Sequence, residues 1–278
     1  LSSCQGNRAS SAAYEVGAGT TIMGYAGICG NDDTQPHSDP FFHSISFDEI
    51  SSYISSGGTC GTNTPTGNTL PAITAMDNMG ANIPLNTPFT LTGAATDADG
   101  DALSYCWEEW DLGTTTTWAA GANNSTSPIF KSRIPKTTGS RTFPDIAVIL
   151  ANYPASPAST MGGLKGETLP KVARTMKFRL TVRDNRAGGG GVVTGGAGCQ
   201  TGYSANFPIN AITGTGPFIV TYPDATGLSF PGGSSVTVTW NVAGTNAAPI
   251  NTAKVKIMIS TDGGQNFNTV LQIGRAHV

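Results

Sequence analysis

The sequence predicts a mainly-β chain of sandwich-like layers, with one short helical piece near its start. Three observations carry that expectation. Only 12% of the 278 residues are charged, whereas 36 are glycine and 17 are proline, a turn-rich composition that suits an all-β extracellular type of protein. Several stretches alternate apolar and polar residues with the two-residue period of a strand. Thr, Ser, Asn, Gly and Pro crowd the stretches between them and read as turns. The length suits about two domains. A formal net charge of −3 with no Lys/Arg cluster argues against a nucleic-acid partner, since phosphate recognition needs concentrated positive charge. No apolar run approaches the ~20 residues of a membrane helix.

The first segment, residues 1–62, contains SFDEISSYIS. Ser46 is placed to cap the helix, Glu49 stands three residues on as in a capping box, and Phe47, Ile50 and Ile54 form a stripe that Gly57 and Gly58 end. TNTPTGNT (62–69) reads as a linker. The second segment, 63–213, is expected to be an immunoglobulin-like β-sandwich. NTPFTLTGAATD alternates around Phe89 and Leu91, and DALSYCWEEWD puts Leu103, Tyr105 and Trp107 on one face. MKFRLTVRD points Phe178, Leu180 and Val182 inward and Lys177, Arg179, Thr181 and Arg183 outward. FPDIAVILANY reads as a short helix, and GGGGVVTGGAG (188–198) as a flexible loop. The third segment, 214–272, repeats the strand theme in GPFIVTYP, SSVTVTWNV (through Val236, Val238, Trp240 and Val242) and AKVKIMISTDGG, and reads as a truncated second sandwich with unpaired edges. IGRAHV (273–278) resembles a translated sequencing adapter and is set aside from fold reasoning, so the chain is expected to be a fragment of a longer reading frame.

The candidate chemistry is sparse. Cys4, Cys29, Cys60, Cys106 and Cys199 form no CxxC pair and read as disulfide partners in an oxidising compartment. One arrangement pairs Cys29 with Cys60 and Cys106 with Cys199, leaving Cys4 to a partner upstream. Asp97, Asp99 and Asp101 alternate through TDADGD around Gly100 and are a candidate calcium site, with an acidic inter-strand turn as the alternative. Glu108, Glu109 and Asp111 read as solvated charges at a strand end, and Trp107 and Trp240 as core residues. GTTIMGYAGICG (19–30) is a tight glycine-punctuated turn around Met23; by composition alone it packs a buried methionine.

The wider stretch around that turn, residues 4–54 (CQGNRASSAAYEVGAGTTIMGYAGICGNDDTQPHSDPFFHSISFDEISSYI), resembles the part of reprolysin-like metzincin metallopeptidases that follows the zinc helix. The resemblance implies that Met23 lies beneath a catalytic zinc without ligating it and that Tyr25 stands near the metal as an extra ligand or oxyanion donor. It further implies that Gly24, Tyr25, Ala26 and Gly27 line the pocket for the residue after the scissile bond. It implies a secreted, monomeric zinc metallopeptidase as the parent, acting on a protein or peptide substrate. The zinc ligands themselves are missing. No HExxH occurs, and the histidines are His37, His43 and His277. His43, beside Phe41 and Phe42, is expected to make a structural hydrogen bond, and the isolated chain is expected to be inactive. The alternative is a non-enzymatic adhesive or structural cell-surface protein of sandwich repeats. A carbohydrate-binding module would need a row of exposed aromatics, which the tryptophans do not offer.

Overall fold

Apolar alternation becomes two facing β-layers in the computed structural model, which describes residues 4–151, 164–195 and 206–275. In chain order, helix α1 (Ser44–Ser56) precedes strands β1 (Ala72–Met76), β2 (Asn82–Pro84), β3 (Phe89–Thr96), β4 (Ser104–Glu109) and β5 (Ser140–Phe143). A one-turn helix α2 (Ile146–Leu150) leads to β6 (Arg174–Arg183), β7 (Val192–Thr194) and β8 (Phe207–Ile212). Two ribbons follow, β9 (Ile219–Tyr222) with β10 (Thr239–Asn241), and β11 (Lys254–Ile259) with β12 (Thr269–Arg275).

One layer is the antiparallel sheet β1-β3-β5. The other runs β2-β8-β6-β4, with β7 also paired to β6 and β2 parallel to β8. Ile73, Leu91 and Phe143 from the first layer meet Trp107, Phe178, Leu180 and Phe207 from the second in a single core. Leu180 sits opposite Trp107 in the β4–β6 register. The Trp107 indole N–H donates to the Gly139 carbonyl at 2.9 Å, so its polar atom is satisfied inside the core. As the alternation of MKFRLTVRD requires, Phe178, Leu180 and Val182 are buried.

The outer face of that second layer departs from expectation. Arg179 and Thr181, read as solvent-facing, are buried, as are Glu108, Glu109 and Asp111. Residues 4–62, which lie across β4 and β6, cover Glu108, Arg179 and Thr181, whereas Glu109 and Asp111 are held by Arg174 and by the amides of Ile129, Phe130 and Lys177. Tyr14 stacks on Trp110 with ring centroids 4.2 Å apart, and the Arg179 guanidinium lies 3.3 Å from the Trp110 ring centroid on its way to an ion pair with Asp48 at 2.6 Å. The Glu108 carboxylate accepts from the Ser44 amide and the Thr181 hydroxyl. A strand covered on both faces loses the polar-out half of its period, and the sequence pattern could not show which segment would cover it.

Helix α1 begins three residues earlier than the capping box implies. Its cap is His43, whose Nδ1 accepts from the Ile45 amide at 3.2 Å. The buried residues of the helix are Ser44 and Ser46; of the predicted stripe, Phe47 is half-buried against Phe42 and Arg183, whereas Ile50 and Ile54, with Tyr53, are exposed. Within the glycine run, Val192–Thr194 pair with β6 instead of forming a loop. In the third segment, only Thr239–Asn241 of the predicted SSVTVTWNV strand pairs, and Val236, Tyr222, Phe230 and Leu271 stay exposed. Ile273–Arg275, set aside as adapter-like, complete β12 opposite Lys254–Lys256.

Candidate functional site

The turn around Met23 is held from three sides. Glu15 places one carboxylate oxygen on the amides of Thr20 (2.8 Å) and Thr21 (3.0 Å), and the other on the Thr21 hydroxyl (2.7 Å). Backbone bonds from Tyr25 to Ala18, Gly24 to Thr21 and Ile22 to Phe41 close the loop. A disulfide joins Cys4 to Cys29 across a separation of 25 residues. Closing a loop of that length removes about 3 kcal/mol of denatured-state freedom. Gly19, at φ +81°, faces Gly24 so closely that a Cβ on either would press on the other's backbone, which is why small residues repeat here.

On this rigid base Met23 is 65% exposed, and Ile22, Tyr25 and Ile28 are exposed beside it. The packing turn that composition alone suggests would have buried the methionine. A cavity of about 210 Å3 opens next to it, lined by Gly19, Met23, Gly24, Tyr25 and, from the helix, Ser46 and Glu49. Gly24 and Tyr25 line this cavity. Ala26 and Gly27 do not border it: a side chain on Gly27 would run into the Pro36 carbonyl, because that residue backs onto the loop.

The donor set for zinc does not assemble. His37 is exposed, while His43 is buried, with Nδ1 occupied as the helix cap and Nε2 3.9 Å from Glu108. Among the described residues, the one cluster of at least three potential ligand side chains is Asp97, Asp101 and Asp184. His43 has only Nε2 left, directed toward Glu108 and not toward His37.

The acidic turn is rearranged relative to the sequence reading. Asp99 turns away to the Thr69 amide and Arg186, and its place beside Asp97 and Asp101 is taken by Asp184, with ligand oxygens within 4.8 Å of one another. The Oδ2 atoms of Asp97 and Asp101 are buried without a hydrogen-bond partner, whereas Asp184 accepts from Asn68 and from the Gly191 amide. Burial opposes ionisation of Asp184, but those bonds, the Arg186 amide and the Arg186 charge hold it below the ordinary carboxylate range. The signal for Asp184 was latent in the register: β4 and β6 are antiparallel with Ser104 opposite Arg183, which brings the residues before one strand beside those after the other.

The disulfide prediction is corrected as well. Cys29 pairs with Cys4 and not Cys60, which is an exposed free thiol. Cys106 is a buried free thiol that donates to the Arg133 carbonyl, and Cys199 lies outside the described residues. Comparison of the chain with known protein families, characterised proteins and solved structures finds no match.

Proposed function

We propose that this chain is the C-terminal part of a secreted zinc metallopeptidase, carrying the turn that floors the metal site but not the groups that bind the metal. The exposed Met23 carries the reading. A methionine kept in water costs about 1–2 kcal/mol relative to burial, yet the turn that presents it is braced by Glu15, a disulfide and a row of glycines. Such bracing around an exposed apolar tip suits a surface that another part of a protein covers. Ile45, Ser46 and Glu49 of α1 border the same cavity as Met23. In this reading Tyr25 stands near the metal, and the sandwich layers act as spacers or attachment surfaces.

Two measurements test the proposal together. Sequencing the source DNA upstream of Leu1 is expected to find HExxHxxGxxH or a close variant within a few tens of codons; a start codon and signal sequence without that motif would favour the adhesive reading. Elemental analysis of the purified chain is expected to give less than one zinc per molecule. Stoichiometric zinc that disappears in His37→Ala or His43→Ala would overturn the floor-only role.

A second, independent reading is a calcium site at Asp97, Asp101 and Asp184, supported by two buried Oδ2 atoms that lack a hydrogen-bond partner. Clustered carboxylate oxygens on a turn are the donors calcium takes. Arg186 would then screen the rim, its Nη1 lying 3.9 Å from Asp101.

A further inference from the structure

A cleft of about 660 Å3 separates the β5 side of the first layer from the last hairpin. The turn of that hairpin is seated on α2: a side chain on Gly264 would meet Leu150. One wall carries Ser140, Arg141 and Thr142 of β5, and the other carries Lys256 and Met258 of β11 with Phe267 from the turn.

We propose that this cleft binds an extended peptide whose acidic and apolar side chains alternate. Charge is the first argument. In a chain of net charge −3, the lining holds Arg133, Lys136, Arg141 and Lys256 against Asp145, with Glu167 buried directly behind the two arginines. The two arginines are fixed in place by Glu167, each at 2.8 Å, and Arg141 Nε is buried without a partner. Lys136 is 61% exposed with Asp145 at 3.8 Å, and Lys256 is exposed with no ion pair among the described residues. With Glu167 and Asp145 offsetting two of the four charges, the excess rests on the exposed Lys136 and Lys256, which make a basic slot that favours a carboxylate-rich ligand.

Spacing is the second argument. Lys256 and Met258 are two residues apart on a strand and so share one face, with the repeat of alternate side chains on an extended peptide. The apolar side chains Ile134, Met258 and Phe267 are exposed among the cations. Backbone geometry is the third. Among the described residues, β5 pairs with β3 on one side only and β11 with β12 on one side only, so both walls offer strand edges of the kind that extended peptides join. An acidic polysaccharide fits less well, because it calls for ring faces in series, and of the three aromatic rings here Trp107 is buried and Tyr105 half-buried, which leaves Phe267 as a single exposed ring.

The test is fluorescence anisotropy of a fluorescein-labelled Glu–Val alternating octapeptide titrated with the full chain at low salt. We expect saturable binding that is absent for the Lys–Val octapeptide and weakens with added salt. Lys136→Glu with Lys256→Glu is expected to raise Kd about tenfold, the scale of two exposed charge contacts. Lys256→Glu alone, on an exposed and unpaired position, is expected to raise it at least threefold with unchanged circular dichroism. Lys171→Glu with Lys177→Glu, which makes the same change in net charge away from the cleft, should leave Kd within twofold. Absence of saturation, equal loss in the control pair, or binding of polygalacturonate without binding of the peptide would each overturn the proposal. None of these readouts involves zinc or Met23, so failure here leaves the metallopeptidase reading untouched.

Discussion

Glu15 to alanine is the sharpest perturbation of the braced turn. The change deletes the acceptor for the amides of Thr20 and Thr21, both in residues with no accessible surface, and for the Thr21 hydroxyl. Thr20 keeps a hydroxyl bond to the Ser132 carbonyl, so its side chain stays anchored while its amide does not. Leaving a buried donor unsatisfied costs ~1–3 kcal/mol. Two such amides set the loss at about 3 kcal/mol, since the half-buried Glu15 position lets some water in. Glutamine in its place retains one oxygen for both amides and should cost about 1 kcal/mol. The loss is local, so hydrogen exchange at the amides of Thr20, Gly24 and Tyr25 is the assay. Alanine should accelerate exchange by roughly a hundredfold and glutamine by roughly fivefold. Less than twofold acceleration with alanine would refute the brace, and glutamine behaving like alanine would show that packing and not hydrogen bonding holds the turn.

Three further outcomes are expected. Calcium at ten times its Kd should stabilise the chain by about 1.4 kcal/mol, seen as a Tm rise of a few degrees; Asp97→Asn with Asp101→Asn should abolish the rise, and an unchanged Tm in the parent chain would remove the site. Burial first, and then the neighbouring Asp111 charge, pushes the Glu109 carboxyl well above 4.5. The folded state then holds that proton more tightly than the unfolded state, so this group's contribution is complete below about pH 4.5 and is lost as pH rises. Glu109→Gln cannot ionise, and its urea midpoint relative to the parent chain should improve steadily from pH 4.5 to 8; a constant difference would contradict the shift. Finally, maleimide labelling mapped by mass spectrometry should modify Cys60 within minutes and Cys106 only on unfolding, because Cys106 is buried and burial pushes its thiol pKa far up; early modification of Cys106 would show that the inner sheet opens.

What the sequence revealed follows from which interactions are local. Alternation in MKFRLTVRD located β6 and its inner face, and FPDIAVILANY located α2, because a strand's period and a capped turn are written in neighbouring residues. The acidic turn was legible as a cluster but not in membership, since Asp184 joins through strand register. Glu108 and Arg179 looked solvated because their cover comes from residues far away in the chain. His43 could not be recognised as a cap from a motif written around Ser and Glu. Cysteine pairing was open for the reason it always is: spacing admits several connectivities.

The cover laid over β4 and β6 by residues 4–62 has a consequence for how such a chain can be inherited. Modules that recombine freely meet through small, polar, forgiving contacts. Here a cut in the Pro/Thr/Gly run at 62–69 would strip the lid from Glu108, Arg179 and Trp110 and leave carboxylate, guanidinium and indole facing water without their partners. A shuffled copy of the layers alone would need compensating changes on that face before it could travel. The front piece and the layers are therefore expected to move through evolution as one cassette.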